Sequence, residues 1–203
     1  TALLTPTPAD AGADQSLCNQ AATTMDATIL TIGTGLWTQV SGPNSAVFAD
    51  ATSPTSDVSN LISGVYVFEW TTTEGFCTSA DQLLVRNDAL PTVADAGTDQ
   101  DICLFSPLIL SGNTPVTGTG QWTQTAGPIA VNILTPDSPT TSVIGALSGS
   151  YTFEWTISNG SCASSVDAVD VIINDIPDQA LAGADQSLCN TGNTYLNGNN
   201  PSI

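Results

Sequence analysis

The sequence contains no histidine and no lysine, and Arg86 is its single cation. Without an imidazole or a primary amine, Ser–His and Cys–His nucleophile pairs and Schiff-base chemistry are excluded. Clusters of Lys and Arg neutralise phosphate backbones, so one arginine cannot build a nucleic-acid surface. With 19 carboxylates and a net charge of −18, the chain is also repelled by anionic headgroups. No run of about 18 apolar residues occurs, so no membrane-spanning helix is expected. Residues 1–8 lack a basic stretch, so any signal peptide is expected to lie outside this sequence. Glutamate is scarce (Glu69, Glu74 and Glu154 only), and no long stretch shows a 3.6-residue apolar period. Without lysine, the Lys–Asn isopeptide locks of many bacterial stalk domains are excluded as well.

What remains is rich in Thr, Ser, Gly, Val and Pro, with Asp as the dominant charge, a composition suited to strands and turns. Its strongest signal is self-similarity. Ala11–Cys18 (AGADQSLC) returns as Ala96–Cys103 (AGTDQDIC) and again as Ala182–Cys189 (AGADQSLC), at offsets of 85 and 86. Gly33–Gln39 (GTGLWTQ) matches Gly118–Gln124 (GTGQWTQ), and Gly64–Thr71 (GVYVFEWT) matches Gly149–Thr156 (GSYTFEWT). The repeat predicts a linker or the end of a preceding repeat over 1–8, complete repeats over 9–91 and 92–177, and the start of a truncated third over 178–203. The chain is then a window on a longer array.

Each repeat reads as strands. Tyr66, Phe68 and Trp70 alternate, as do Tyr151, Phe153 and Trp155, so one face of each strand carries three aromatics. Trp37 and Trp122 recur beside other strand patterns. A core role is favoured for all eight over a sugar-stacking platform. Glu74-Gly75 and Asn159-Gly160 are hairpin-turn pairs. The expected fold is all-β, a tandem of immunoglobulin-like (PKD-like) sandwiches of about seven strands each.

Cys18 and Cys77 stand 59 residues apart, as do Cys103 and Cys162. One disulfide per repeat, Cys18–Cys77 and Cys103–Cys162, accounts for four cysteines, and Cys189 takes a partner outside the chain. A loop of this size contributes about 4 kcal/mol in the chain-entropy model. Metal ligation by these cysteines is disfavoured, since histidine is absent and no CxxC occurs. An oxidising compartment follows.

The order AGxDQxLC, GTGxWTQ, GxYxFEWT, GxC resembles the PKD-like, immunoglobulin-like repeats of giant cell-surface proteins of gliding Bacteroidetes, the gliding-motility adhesin type. That resemblance covers both repeats and the third fragment. It implies type IX export across the outer membrane, an extracellular, cell-surface location, and a structural or adhesive role in a stalk or filament. The partners implied are other repeats of the chain, surface glycans or neighbouring filament chains, with no nucleic acid and no membrane insertion.

Candidate sites are few. Asp10-Ala11-Gly12 and Asp95-Ala96-Gly97 are superficially like the Asp-Thr-Gly of aspartic proteases, yet Ala replaces Thr and the setting is linker-like. No catalytic residue is assigned. Asp88, Asp95, Asp99 and Asp101, and Asp175, Asp178 and Asp185, crowd the junctions between repeats. Calcium takes six to eight oxygen ligands, which such residues could supply. Asx-turns and a solubilising surface are the favoured account of them. No other cofactor is expected.

Overall fold

The computed structural model describes residues 5–190 and 192–200. Among these, regular structure is strand throughout. The first repeat supplies Gln15–Cys18 (β1), Ala22–Thr24 (β2), Thr34–Ser41 (β3), Val47–Phe48 (β4), Asp57–Ser59 (β5), Gly64–Glu74 (β6) and Cys77–Asp88 (β7). The second supplies Gln100–Cys103 (β8), Leu108–Ser111 (β9), Thr119–Ala126 (β10), Asn132–Ile133 (β11), Thr140–Ile144 (β12), Gly149–Ser158 (β13) and Ser165–Asn174 (β14).

The sheets repeat as the sequence does. Sheet β1-β7-β6-β3 has its counterpart in β8-β14-β13-β10, and β2-β5-β4 in β9-β12-β11. Each opening strand lies parallel to the last strand of its repeat. Cys18 stands opposite Asp88, and Cys103 opposite Asn174. The long β6–β7 hairpin is antiparallel from Gly64↔Asn87 to Glu74↔Cys77. The chain packs as two compact units. The first holds the chain up to Ala94 with Thr114–Gly120 and Thr156–Val166, so it includes the turn between β13 and β14. The second holds Asp95–Asn113, Gln121–Trp155 and the chain from Asp167 on.

Alternation along β6 and β13 explains the cores. Tyr66, Phe68 and Trp70 all point inward from β6, and Tyr151, Phe153 and Trp155 from β13. Trp37 from β3 and Trp122 from β10 complete the set, and all eight rings are buried. Trp37 and Trp70 meet at 5.1 Å with planes tilted by 43°; Trp122 and Trp155 meet at 5.1 Å and 37°. Such pairs contribute about 0.5–1.5 kcal/mol beyond their buried area. Gly35 permits this packing, because a Cβ there would stand 2.1 Å from the Trp70 ring. With no ring face exposed, these tryptophans cannot serve as a sugar platform.

The two cores differ in one polar detail. Trp122 Nε1 donates to the Pro139 carbonyl, and Trp155 Nε1 to Asn113 Oδ1, each at 3.1 Å. Trp37 Nε1 and Trp70 Nε1 have no partner among the described residues.

Candidate functional site

Several of the aspartates accept backbone amides. Asp81 accepts from Ala11 N at 2.8 Å, and Asp167 from Ala96 N at 2.7 Å. Asp14 accepts from Leu84 N at 2.8 Å, and Asp99 from Asp170 N at 3.0 Å. Asp10 and Asp95 each accept from the amide two residues on, Gly12 and Gly97, at 2.9 Å. These are Asx-turns, and Gly12 at φ 84° and Gly97 at φ 83° complete them. The protease-like Asp-Ala-Gly segments are therefore turn structure.

Asp88, Asp95, Asp99, Asp101 and Asp175, five of the seven aspartates considered as calcium ligands, each accept hydrogen bonds of their own. Asp95 and Asp99 have the partners just named. Asp101 accepts from Asn174 Nδ2, and Asp175 from Ile176 N at 2.9 Å. Asp178 and Asp185 are exposed. Among the described residues, no three His, Cys, Asp or Glu side chains gather as a metal-binding group. Asp95, Asp99, Asp101 and Asp175 are each aimed at a separate amide instead of a shared point.

Asp88 is the exception in density of contacts. It closes β7 with its side chain 8% exposed, and it accepts from Arg86 Nε at 2.7 Å. The two residues share one face of the strand, being two apart. The turn Asn159-Gly160-Ser161 closes over it. Ser161 N donates to Asp88 Oδ2 at 2.8 Å, and Ser161 Oγ lies 3.2 Å from the same oxygen and 2.6 Å from the Leu17 carbonyl, which accepts from it. Asn159 Nδ2 donates to the Ala89 carbonyl at 2.7 Å. Donation by the Ser161 amide, and then by Arg86, holds the Asp88 carboxyl below its ordinary value of 3.8. Gly160, at φ 53°, is the residue this contact requires, because a Cβ there would stand 1.9 Å from Asp88 Oδ2.

Beside this cluster lies the disulfide, and it is not one of those expected. Cys18 is bonded to Cys162, with Cα atoms 4.8 Å apart and 144 residues between them in sequence. Cys77, Cys103 and Cys189 are free. The pairings Cys18–Cys77 and Cys103–Cys162 are corrected by the register. Cys18 aligns with Asp88, at the end of β7, whereas Cys77 opens that strand. Eleven steps at about 3.3 Å place them about 36 Å apart, against the roughly 4.4–6.8 Å a disulfide needs. Cys103 likewise aligns with Asn174 at the end of β14, and Cys162 precedes its start. The bridge therefore joins the opening strand of the first repeat to the hairpin turn of the second, both inside the first compact unit.

The cluster Arg86–Asp88–Gly160–Ser161 was not foreseen. Its one legible trace was the sequence's sole cation two residues before an aspartate.

Comparison with known proteins agrees with this architecture. Over 166 residues the chain is 28% identical to the dyslexia-associated protein KIAA0319 of Homo sapiens; the match covers 75% of this chain but only 16% of that protein. The fold is shared with Sidekick-1 immunoglobulin domains 1–5 (TM-score 0.59, 16% identity, 88% of this chain and 41% of that one). It is shared too with extracellular domains 3–5 of Drosophila OTK (TM-score 0.57, 10% identity, 84% and 60%). The family model described as K319L-like, PKD domain matches residues 11–85 and 96–173, one match per repeat, and the chain belongs to that family.

Proposed function

We propose that the chain is a structural and adhesive repeat region of a large secreted cell-surface protein, built as a stalk or filament and not as an enzyme. The observation that carries this reading is the Cys18–Cys162 bond between consecutive family-matched repeats. Disulfides of this kind persist in oxidising compartments, outside the reducing cytosol. A sandwich with an acidic surface and eight buried core aromatics offers spacing and contact area instead of a reaction centre. The likeness in fold to extracellular domains of OTK and to the immunoglobulin domains of Sidekick-1 supports the same reading.

In its finer form, the parent protein is a surface adhesin of the gliding-motility type, exported by the type IX route. Its partners are neighbouring repeats, neighbouring chains and surface glycans. The repeat motifs quoted above support that form. An antibody raised against the chain, applied to intact cells of the source organism, tests it. Labelling without permeabilisation, lost after mild proteolysis of whole cells and lost in a type IX secretion mutant, is the expected result. Labelling only after permeabilisation overturns the surface reading, and unchanged labelling in the mutant overturns the export route.

A further inference from the structure

The bond between Cys18 and Cys162 joins two local settings, and each setting occurs once more with its cysteine free. The first is the end of an opening strand. Cys18 stands opposite Asp88, and Asn19 N donates to the Asp88 carbonyl at 2.7 Å. Cys103 stands opposite Asn174, and Leu104 N donates to the Asn174 carbonyl at 2.7 Å. The second setting is a hairpin turn. Asn159-Gly160-Ser161-Cys162 has Gly160 at φ 53°, and Glu74-Gly75-Phe76-Cys77 has Gly75 at φ 60°. The two turns thus share a glycine in the left-handed conformation one residue after Glu74 and Asn159.

The free settings differ from the bonded ones in their neighbours. At the bonded joint, Ser161 is engaged by Leu17 and Asp88. Its counterpart beside Cys77 is Phe76, which is 96% exposed. Beside Cys18 the chain continues Asn19-Gln20; beside Cys103 it continues Leu104-Phe105, and Phe105 is 84% exposed at φ 70°. Both open settings therefore carry apolar surface where the closed one carries polar contacts. They match each other in chemistry and neither matches the closed joint.

We propose that Cys77 and Cys103 are the two open halves of the same joint, each forming a disulfide with the complementary cysteine of an adjoining repeat of this kind. Cys103 takes the hairpin cysteine of a following repeat, and Cys77 the opening-strand cysteine of a preceding one. Cys189, which ends the third copy of the opening motif, behaves as Cys103 does. Consecutive repeats are then tied one to the next by a covalent bond in addition to the peptide chain. The linkage is independent of the adhesive reading, since an array that adheres to nothing can still be bonded this way. Bond formation needs a disulfide oxidant. One cysteine thiolate attacks the oxidant, releasing one thiol; the second thiolate displaces the other half, and both cysteine protons pass to the released thiols.

The chain itself carries both open halves, so two copies can complete a joint. Purified chain is incubated in a glutathione redox buffer, quenched by alkylation and digested with an Asp-specific protease, since Arg86 is the only tryptic site. The expected product is a head-to-tail ladder on a non-reducing gel in which Cys77–Cys103 peptides exceed either homotypic pair several-fold. Random pairing gives only a twofold excess, and the same oxidation in urea supplies that reference. Phe76→Ser should bring the native ratio toward the random one, with the Cys18–Cys162 peptide retained as proof of folding. Homotypic pairs at the random ratio overturn the proposal, as do unreacted thiols at both positions or a Cys18–Cys77 bond.

Discussion

Removing the Cys18–Cys162 bridge is the most direct perturbation of this architecture. The bond closes a loop of 144 residues. In the chain-entropy model, such a loop contributes about 5 kcal/mol, by restricting the unfolded ensemble. The double variant Cys18→Ser/Cys162→Ser should lose that amount relative to the oxidised chain. With a urea dependence of about 2 kcal/mol per M, the unfolding midpoint should fall by about 2–3 M. Equilibrium urea unfolding followed by tryptophan fluorescence measures it, since Trp37, Trp70, Trp122 and Trp155 are all buried. Cys77→Ser is the control. Cys77 is free in the single chain, so its loss should leave the midpoint unchanged. If Cys77→Ser lowers the midpoint as far as the double variant does, the bridge lies within the first repeat and the register argument fails. If the double variant unfolds at the midpoint of the oxidised chain, the bond constrains nothing.

Two further outcomes follow from single contacts. Thr28 donates its amide to the Asp10 carbonyl as Asn113 does to Asp95, yet only Asn113 reaches its tryptophan; Thr28→Asn should therefore give Trp70 Nε1 an acceptor and stabilise the first unit by about 1 kcal/mol, with no gain by urea unfolding refuting it. The Asp88 carboxyl sits below its ordinary value in the folded chain, so its contribution is present above that value and lost as pH falls through the folded one. The midpoint difference between the native chain and Asp88→Asn should accordingly shrink as the pH is lowered below about 4, and a difference independent of pH would refute the assignment.

The elements that were legible from residues alone are those with a period. Tyr66, Phe68 and Trp70 sit at alternate positions, and that spacing places them on one face whatever surrounds them. The repeat of Ala11–Cys18 at Ala96–Cys103 carried the topology of one unit over to the next. The disulfide partners were not legible, for a physical reason. In a tandem repeat, two cysteines keep a fixed spacing whether each bonds inside its own repeat or to the next. Equal separations of 59 therefore carry no information about pairing. What decides it is that β1 runs parallel to β7, a fact of three dimensions that places Cys18 at the far end from Cys77. The aspartates were ambiguous in a similar way. Their crowding in sequence is compatible with one shared ion or with many separate amides, and only the directions of Asp95, Asp99 and Asp101 distinguish these.

The closed loop also has a mechanical meaning. A tension applied along the backbone from before Cys18 to beyond Cys162 is carried across the sulfur–sulfur bond, because that is the shorter covalent path. The 144-residue segment it bypasses corresponds to about 500 Å of extended contour, none of which can be drawn out while the bond holds. Strands β2 to β13 lie wholly within that segment, so they are shielded from load even if they lose their packing. Reduction converts the same chain into one that lengthens by that hidden contour under force.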